Sequence, residues 1–271
     1  MNALERITQI INKIQKEREE LEVEISEYLV TDEAHRVKAQ REKDLKQYLV
    51  ISEYIEKEIT APKPEKSEKL APQDKAQAVQ LLNKRLSQVN NTQEKTKIIS
   101  DLVIEYIQQN IPNSKLDAFT VILLKRMIEQ IKAQVSTNKE SAVGYAYLLI
   151  WLSQRIPNLI SKYKYTMFTS ALPLDCLLGM YRVYFTVLKE SNNPGDAWMF
   201  ISSLLNYTEE ISSTFNPCVI SVFLDVLLLF MKNIYAKSWF KIEEYIKNIY
   251  LPLVDSKKYA TEILQIKSYL T

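Results

Sequence analysis

Apolar side chains recur three and four residues apart along most of this chain, with charged and polar residues between them. Within residues 179–252, for example, the spacing appears at Met180, Tyr184, Val187 and Leu188. This spacing is typical of α-helices that pack together, because it places the apolar side chains on one face of each helix. No alternating strand pattern flanked by hairpin turns competes with it. The sequence therefore predicts an all-α protein.

The pattern divides the chain into three segments. Residues 1–59 are predicted to form a helical arm, whose first four heptads carry apolar residues at alternating steps of three and four. That stripe is typical of a coiled-coil seam for self-association or for a partner helix, but it also suits a helix that folds back onto the chain's own core. Residues 60–77 contain three prolines among mixed charges and are predicted to be a linker. Residues 78–271 are predicted to be a helical domain.

Short breaks within this domain predict successive helices, as in an irregular solenoid of stacked antiparallel pairs. Ser114 is predicted to cap the helix that begins at Lys115, because its hydroxyl suits a helix N-cap. The helices are predicted over residues 73–89, 93–109, 115–135, 140–155, 158 onward, 174–190, 196–207, 217–235, 238–250 and 257–270.

The residues needed for catalysis are missing from the sequence. It contains three glycines, so a glycine-rich loop that cradles phosphates is not expected. Its single histidine, His35, lies in a charged segment, and its two cysteines, Cys176 and Cys218, lack metal-ligand spacing and are interpreted as core thiols. We therefore predict a non-enzyme with no catalytic residues, no metal site and no required cofactor.

The sequence predicts neither a signal peptide nor a membrane-spanning segment. The N-terminus has no basic region followed by an apolar run, so a signal peptide is not expected. The uninterrupted apolar runs, such as Val226–Met231, are far shorter than the roughly 20 residues that cross a bilayer. Two lone cysteines suit a reducing compartment. We expect a soluble intracellular protein without membrane insertion.

Positive charge is concentrated in the middle of the chain. Residues 78–170 contain 12 Lys/Arg and 6 Asp/Glu, a difference of +6, while the whole chain has a net charge of +2. Such a block can attract a polyanion or an acidic protein face. Its candidate binding residues are Lys84, Arg85, Lys125, Arg126, Lys132, Lys162 and Lys164.

Several stretches together resemble a known family. They are LLNKRLSQVNN (81–91), LLKRMIEQIKAQV (123–135), KESAVGYAYLLIWLSQRIPNL (139–159), GMYRVYFTVL (179–188) and FLDVLLLFMKNIYAKSWFKIEEYIKNIYLP (223–252). Over residues 78–271 the chain resembles the C-terminal domain of the Gle-one family of nuclear-pore mRNA-export factors. The resemblance rests on pattern and spacing, with Glu140-Ser141-Ala142 and Pro157 at the corresponding positions.

This resemblance implies a fold and a function. Members have a HEAT- or MIF4G-like helical domain, are non-enzymatic, and are anchored through nucleoporins at the cytoplasmic face of the nuclear pore. They bind both lobes of a DEAD-box RNA helicase and stimulate its ATPase cycle and RNA release. The resemblance therefore implies a DEAD-box helicase and a nucleoporin as partners of this chain.

The resemblance also bears on a ligand. Fungal members hold inositol hexakisphosphate in a basic pocket, and Lys125 matches the family's pocket lysine. However, Glu129 stands where fungal members place a histidine, and Thr169-Ser170 stand where they carry a Lys-Lys pair. These departures favour a solvated basic face that touches the helicase directly over a pocket for inositol hexakisphosphate.

Some aromatic residues, and the function of the chain as a whole, allow more than one interpretation. The interleaved Lys162-Tyr163-Lys164-Tyr165 suits either single-stranded RNA stacking or half-buried helix positions, and the tryptophans suit gaps between helices. A MIF4G-like scaffold for translation or RNA decay is an alternative function. A coiled-coil tethering adaptor unrelated to RNA, working through the arm, is another.

Overall fold

The computed structural model describes residues 69–169, 172–206 and 216–270. All of them lie in one compact unit, residues 51–271. The predicted helical arm, the first half of the predicted linker (residues 60–68) and His35 lie outside the described residues, and those predictions stay untested.

Helices account for the regular structure of the described residues, and no strand occurs among them. This confirms the all-α class, while the solenoid stays a prediction. The helices are α1 (Pro72–Leu86), α2 (Gln93–Asn110), α3 (Leu116–Gln134), α4 (Ser141–Ser153), α5 (Leu159–Thr169), α6 (Leu174–Glu190), α7 (Pro194–Asn206), α8 (Asn216–Tyr245) and α9 (Ala260–Tyr269).

Local sequence explains where several of these helices begin. Helix α1 begins at Pro72, inside the stretch predicted as linker, because a proline is well tolerated in the first turn of a helix. The prediction that Ser114 caps α3 is wrong. Residues Asn113–Lys115 form a 3₁₀ turn in which the Lys115 amide donates to the carbonyl oxygen of Pro112, and Lys115 occupies the N-cap position of α3.

Helix α8 contains a break in its backbone. The sequence predicts two helices here, over residues 217–235 and 238–250, and the structure confirms the break: α8 consists of two helical segments that meet at Ala236, where φ is 39° and ψ is −107°. Across the bend, Lys232 Nζ lies 2.8 Å from Glu243 Oε1, and Trp239 Nε1 donates to the same oxygen at 3.0 Å. Glu243 is buried, so these two partners stabilise its charge and fix the bend. A π-helical turn, Ile246–Tyr250, and a short turn, Leu251–Leu253, follow α8.

Helices two apart in sequence form the main packing contacts. Helix α1 packs on α3, and contacts continue from α2 to α4, α6 and α8, with α9 packed on α8. Lys115 pairs with Asp74 at one end of the α1–α3 contact, and Gln134 donates to the carbonyl oxygen of Ser87 at the other, so α1 and α3 run parallel. The packing between helices positions the exposed faces of α1 and α3 side by side.

The core is rich in aromatic rings where α6, α7 and α8 meet. Phe185, Phe200, Phe223 and Trp239 form a chain of ring contacts with centroids 5.0–6.3 Å apart. Trp239 is fully enclosed, as expected for a residue that fills a gap between helices.

One described helical stretch, Pro217–Leu253, is long and apolar enough to cross a membrane by length and composition, with a mean hydropathy of 1.9 in its most apolar window. The sequence-based expectation had not counted any stretch as a span. Half of that window is buried among the other helices, as in a core helix of a water-soluble protein, which meets the same criterion.

Candidate functional site

The exposed face of α3 carries two of the predicted basic residues. Lys125 and Lys132 are both exposed and lie two helical turns apart on this face. Neither forms an ion pair with another described residue. Their ammonium groups are therefore accessible to a partner.

Glu129 lies between these lysines, and Arg126 partly neutralises it. Arg126 Nη1 lies 2.6 Å from Glu129 Oε2. The Arg126 Nε atom is buried and has no hydrogen-bond partner among the described residues. The carboxylate of Glu129, expected to repel a phosphate, is thus held by a cation on its own helix.

Helix α1 brings two more basic residues to the same region. Lys84 is exposed and Arg85 is half-buried in the last turn of α1, and the Nε atom of Arg85 is also buried without a partner. Because α1 and α3 are parallel, the last turn of α1 lies at the end of the pair where Lys132 is found. We call Lys84, Arg85, Lys125, Arg126 and Lys132 the basic surface.

The remaining two predicted residues have other neighbours. Lys162 on α5 lies 2.7 Å from Asp117 in the first turn of α3, which compensates its charge. Lys164 lies over the ring of Tyr184 on α6, 5.5 Å from its centroid, and burial lowers the pKa of Lys164. The structure therefore places five of the seven predicted residues on two neighbouring helices, α1 and α3, and directs Lys164 into the helical packing.

The lysine–tyrosine interleaving on α5 has a packing explanation at Tyr163. This side chain is fully buried and donates a hydrogen bond from its hydroxyl to the carbonyl oxygen of Met180 at 3.1 Å. A ring in this position cannot stack on RNA.

A second, polar site lies among α6, α8 and α9 and was missed from the sequence. It is a cavity of about 180 Å³, closed on one side by the turn between α3 and α4. Arg182 Nη1 lies 2.7 Å from Asp225 Oδ2 within it, and Arg182 is 9% exposed. The sequence contains a feature that could have revealed this site: Arg182 and Asp225 are isolated charged residues, and each interrupts an apolar helix segment that is buried in the structure.

The cysteines behave as predicted for core thiols. Both Cys176 and Cys218 are free and buried. Burial, followed by the nearby charge of Glu262, raises the pKa of Cys218 to about 11, and burial raises the pKa of Cys176. Neither thiol is poised as a nucleophile at neutral pH. Among the described residues no group of His, Cys, Asp and Glu is arranged to hold a metal ion.

Comparison with known protein families gives a match to part of the chain. The family model described as GLE1-like protein matches residues 52–169, which include α1 to α5 and the whole basic surface. Over these residues the chain is similar to the GLE1-like family, in agreement with the resemblance to the Gle-one family over residues 78–169. No curated protein sequence and no solved structure matched the chain.

The match to this family indicates a role in mRNA export and an association with the RNA-export machinery in general.

Proposed function

We propose that this chain is a non-catalytic mRNA-export factor at the cytoplasmic face of the nuclear pore. It binds a DEAD-box RNA helicase and stimulates the helicase's ATPase cycle and its release of RNA, while a nucleoporin anchors it. Preferential binding to the open arrangement of the helicase lobes favours product and RNA release, and this mechanism needs no catalytic residue from this chain.

The observation that supports this proposal best is the accessibility of Lys84, Lys125 and Lys132 on two neighbouring parallel helices. All three lie inside the region that matches the family. Exposed cations on a packed helical scaffold suit an acidic protein face, because they steer association without a folding step. Individual exposed pairs contribute little, so the surface acts through several lysines together.

Inositol hexakisphosphate is a further proposal for the same surface. Several cations converging from different helices are needed to hold six phosphates, and α1 and α3 contribute five. The pairing of Arg126 with Glu129 reduces the repulsion from the carboxylate. Direct contact with the helicase remains the preferred role, because Lys162 and Lys164 have partners elsewhere.

The test is the RNA-stimulated ATPase rate of the helicase from the same source, measured with and without the full chain. The proposal predicts a higher turnover rate and a detectable complex. An unchanged rate with no complex would contradict it. A MIF4G-like scaffold would instead be recovered with translation or RNA-decay factors, and a tethering adaptor would lose its partner on deletion of residues 1–60.

Isothermal titration calorimetry tests the ligand separately. Wild-type protein and Lys125→Glu are each titrated with inositol hexakisphosphate. Micromolar binding that Lys125→Glu weakens would support the pocket, and an absence of heat at micromolar ligand would exclude it without affecting helicase stimulation.

A further inference from the structure

The polar cavity arises because three helices run parallel in one register. Contacts between α8 and α9 repeat at Cys218 with Glu262 (3.6 Å) and at Ser221 with Gln265 (2.9 Å). One turn further on, Asp225 accepts a hydrogen bond from the Tyr269 hydroxyl. Helix α6 also packs on α8, and residues of all three helices line the cavity. Helix α8 is therefore the floor of a groove whose walls are α6 and α9.

The cavity is lined by polar side chains, which distinguishes it from an empty cavity left by imperfect packing. Five charged side chains line it, namely Lys139, Asp175, Arg182, Asp225 and Glu262. Empty cavities in proteins are usually apolar, whereas a polar cavity holds water or a ligand. At about 180 Å³ it is smaller than the roughly 300–1,000 Å³ typical of small-molecule sites. A single long side chain fits this space better than a nucleotide or an inositol phosphate does.

The charges within the cavity are unevenly compensated. Asp225 is paired with Arg182 at 2.7 Å, and Lys139 lies 4.0 Å from Asp225 with its own side chain 66% exposed. Asp175 and Glu262 form no ion pair with a described basic residue. The lining contains three carboxylates and two cations, so it carries a net negative charge that Asp175 and Glu262 supply.

We propose that this cavity binds the cationic side chain of an arginine or lysine in an extended segment of a partner protein. The Glu262 carboxylate lies at the end where α6, α8 and α9 begin, and it accepts the guanidinium or ammonium group. The Ser221–Gln265 layer and the Arg182–Asp225 pair form the remainder of the wall along the side-chain stem. None of the five basic-surface residues lines the cavity, so this site is independent of the proposed helicase contact.

The experiment uses the full chain and short peptides as probes. Backbone amide signals of residues 262–269 are followed by ¹H–¹⁵N NMR during titration with Ac-Gly-Arg-Gly-NH₂. The matched peptide carries citrulline, which has the shape of arginine without its charge. We expect saturable, millimolar binding of the arginine peptide, as befits one charged side chain, and much smaller shifts with citrulline.

Variants separate recognition from helix stability. Glu262→Gln is expected to weaken binding about fivefold, because it removes one charge partner, and Glu105→Gln on α2 is expected to leave binding unchanged. If Glu262 and Asp175 only compensate the helix N-termini, Glu262→Gln will lower the thermal midpoint without altering the peptide titration, and the proposal is wrong. Equal shifts with citrulline, or no shift at millimolar peptide, would also overturn it.

Discussion

Gly144 on α4 lies so close to Asn90 that a Cβ atom on Gly144 would be 1.9 Å from the Asn90 carbonyl oxygen. The same carbonyl accepts a hydrogen bond from the Thr96 hydroxyl at 3.1 Å, which fixes its position. Only a glycine allows the start of α4 to approach the α1–α2 loop this closely.

Gly144→Ala is therefore expected to destabilise the protein by more than about 2 kcal/mol, because backbone atoms must move apart. Chemical denaturation followed by circular dichroism measures this. Gly195→Ala is the matched control. The nearest atom to its Cβ lies 3.9 Å away, and this substitution should leave stability equal or slightly higher. Similar midpoints for both variants would contradict the close approach.

Arg182→Met is expected to cost roughly 2 kcal/mol, because it leaves the Asp225 carboxylate without its main partner in a mostly enclosed site. The Lys97–Asp101 pair is exposed, with side chains 46% and 56% accessible, so Lys97→Met should cost less than about 0.5 kcal/mol. The urea midpoints of the two variants compare these pairs. A cost for Arg182→Met as small as that of Lys97→Met would show that the Arg182–Asp225 pair contributes little.

Two fully buried tyrosines should respond oppositely to removal of their hydroxyl groups. Tyr145 donates to the carbonyl oxygen of Leu86 at 3.1 Å, so Tyr145→Phe should cost about 1 kcal/mol. The Tyr250 hydroxyl is buried without a hydrogen-bond partner among the described residues, so Tyr250→Phe should be neutral or stabilising. A loss of stability in Tyr250→Phe would mean that an ordered partner satisfies the hydroxyl.

The bend in α8 predicts a substitution that increases stability. Ala236 has φ 39°, which an L-residue with a Cβ adopts at a cost, so Ala236→Gly should stabilise the protein by about 1 kcal/mol. Ala76, on the exposed side of α1, has ordinary helical surroundings, and Ala76→Gly should destabilise by a similar amount. We expect the thermal unfolding midpoint to rise in Ala236→Gly and to fall in Ala76→Gly. A fall in both variants would indicate that α8 prefers a straight helix.

The sequence pattern was sufficient for the class and for most helix positions. The three-and-four spacing of apolar residues predicted α6 at its observed ends, Leu174 and Glu190. In the structure nearly every residue from Cys176 to Leu188 is buried. The bend near Ala236 was anticipated as a gap between two helices. The contacts of Lys232 and Trp239 with Glu243 across the break were not predicted, because apolar spacing does not encode ion pairs and hydrogen bonds between side chains.

The candidate sites were less predictable. Lys125 and Lys132 share a face because helix periodicity alone dictates it. The directions of Lys162 and Lys164 depend on which neighbouring helix each one meets, here Asp117 on α3 and Tyr184 on α6. The polar cavity depends on the common register of α6, α8 and α9, which arises from packing between segments more than 40 residues apart in sequence.

Contact between the basic surface and the helicase can be tested by reversing the charge of the exposed lysines on α3. The most direct measurement is helicase ATPase stimulation by the full chain carrying Lys125→Glu and Lys132→Glu together, compared with a control carrying Lys241→Glu and Lys247→Glu, two exposed lysines elsewhere on the surface. We expect the first variant to lose stimulation and helicase binding at least tenfold, because two steering charges are reversed, while the control retains both. Full stimulation by the first variant, or an equal loss in the two variants, would show that the basic surface does not contact the helicase.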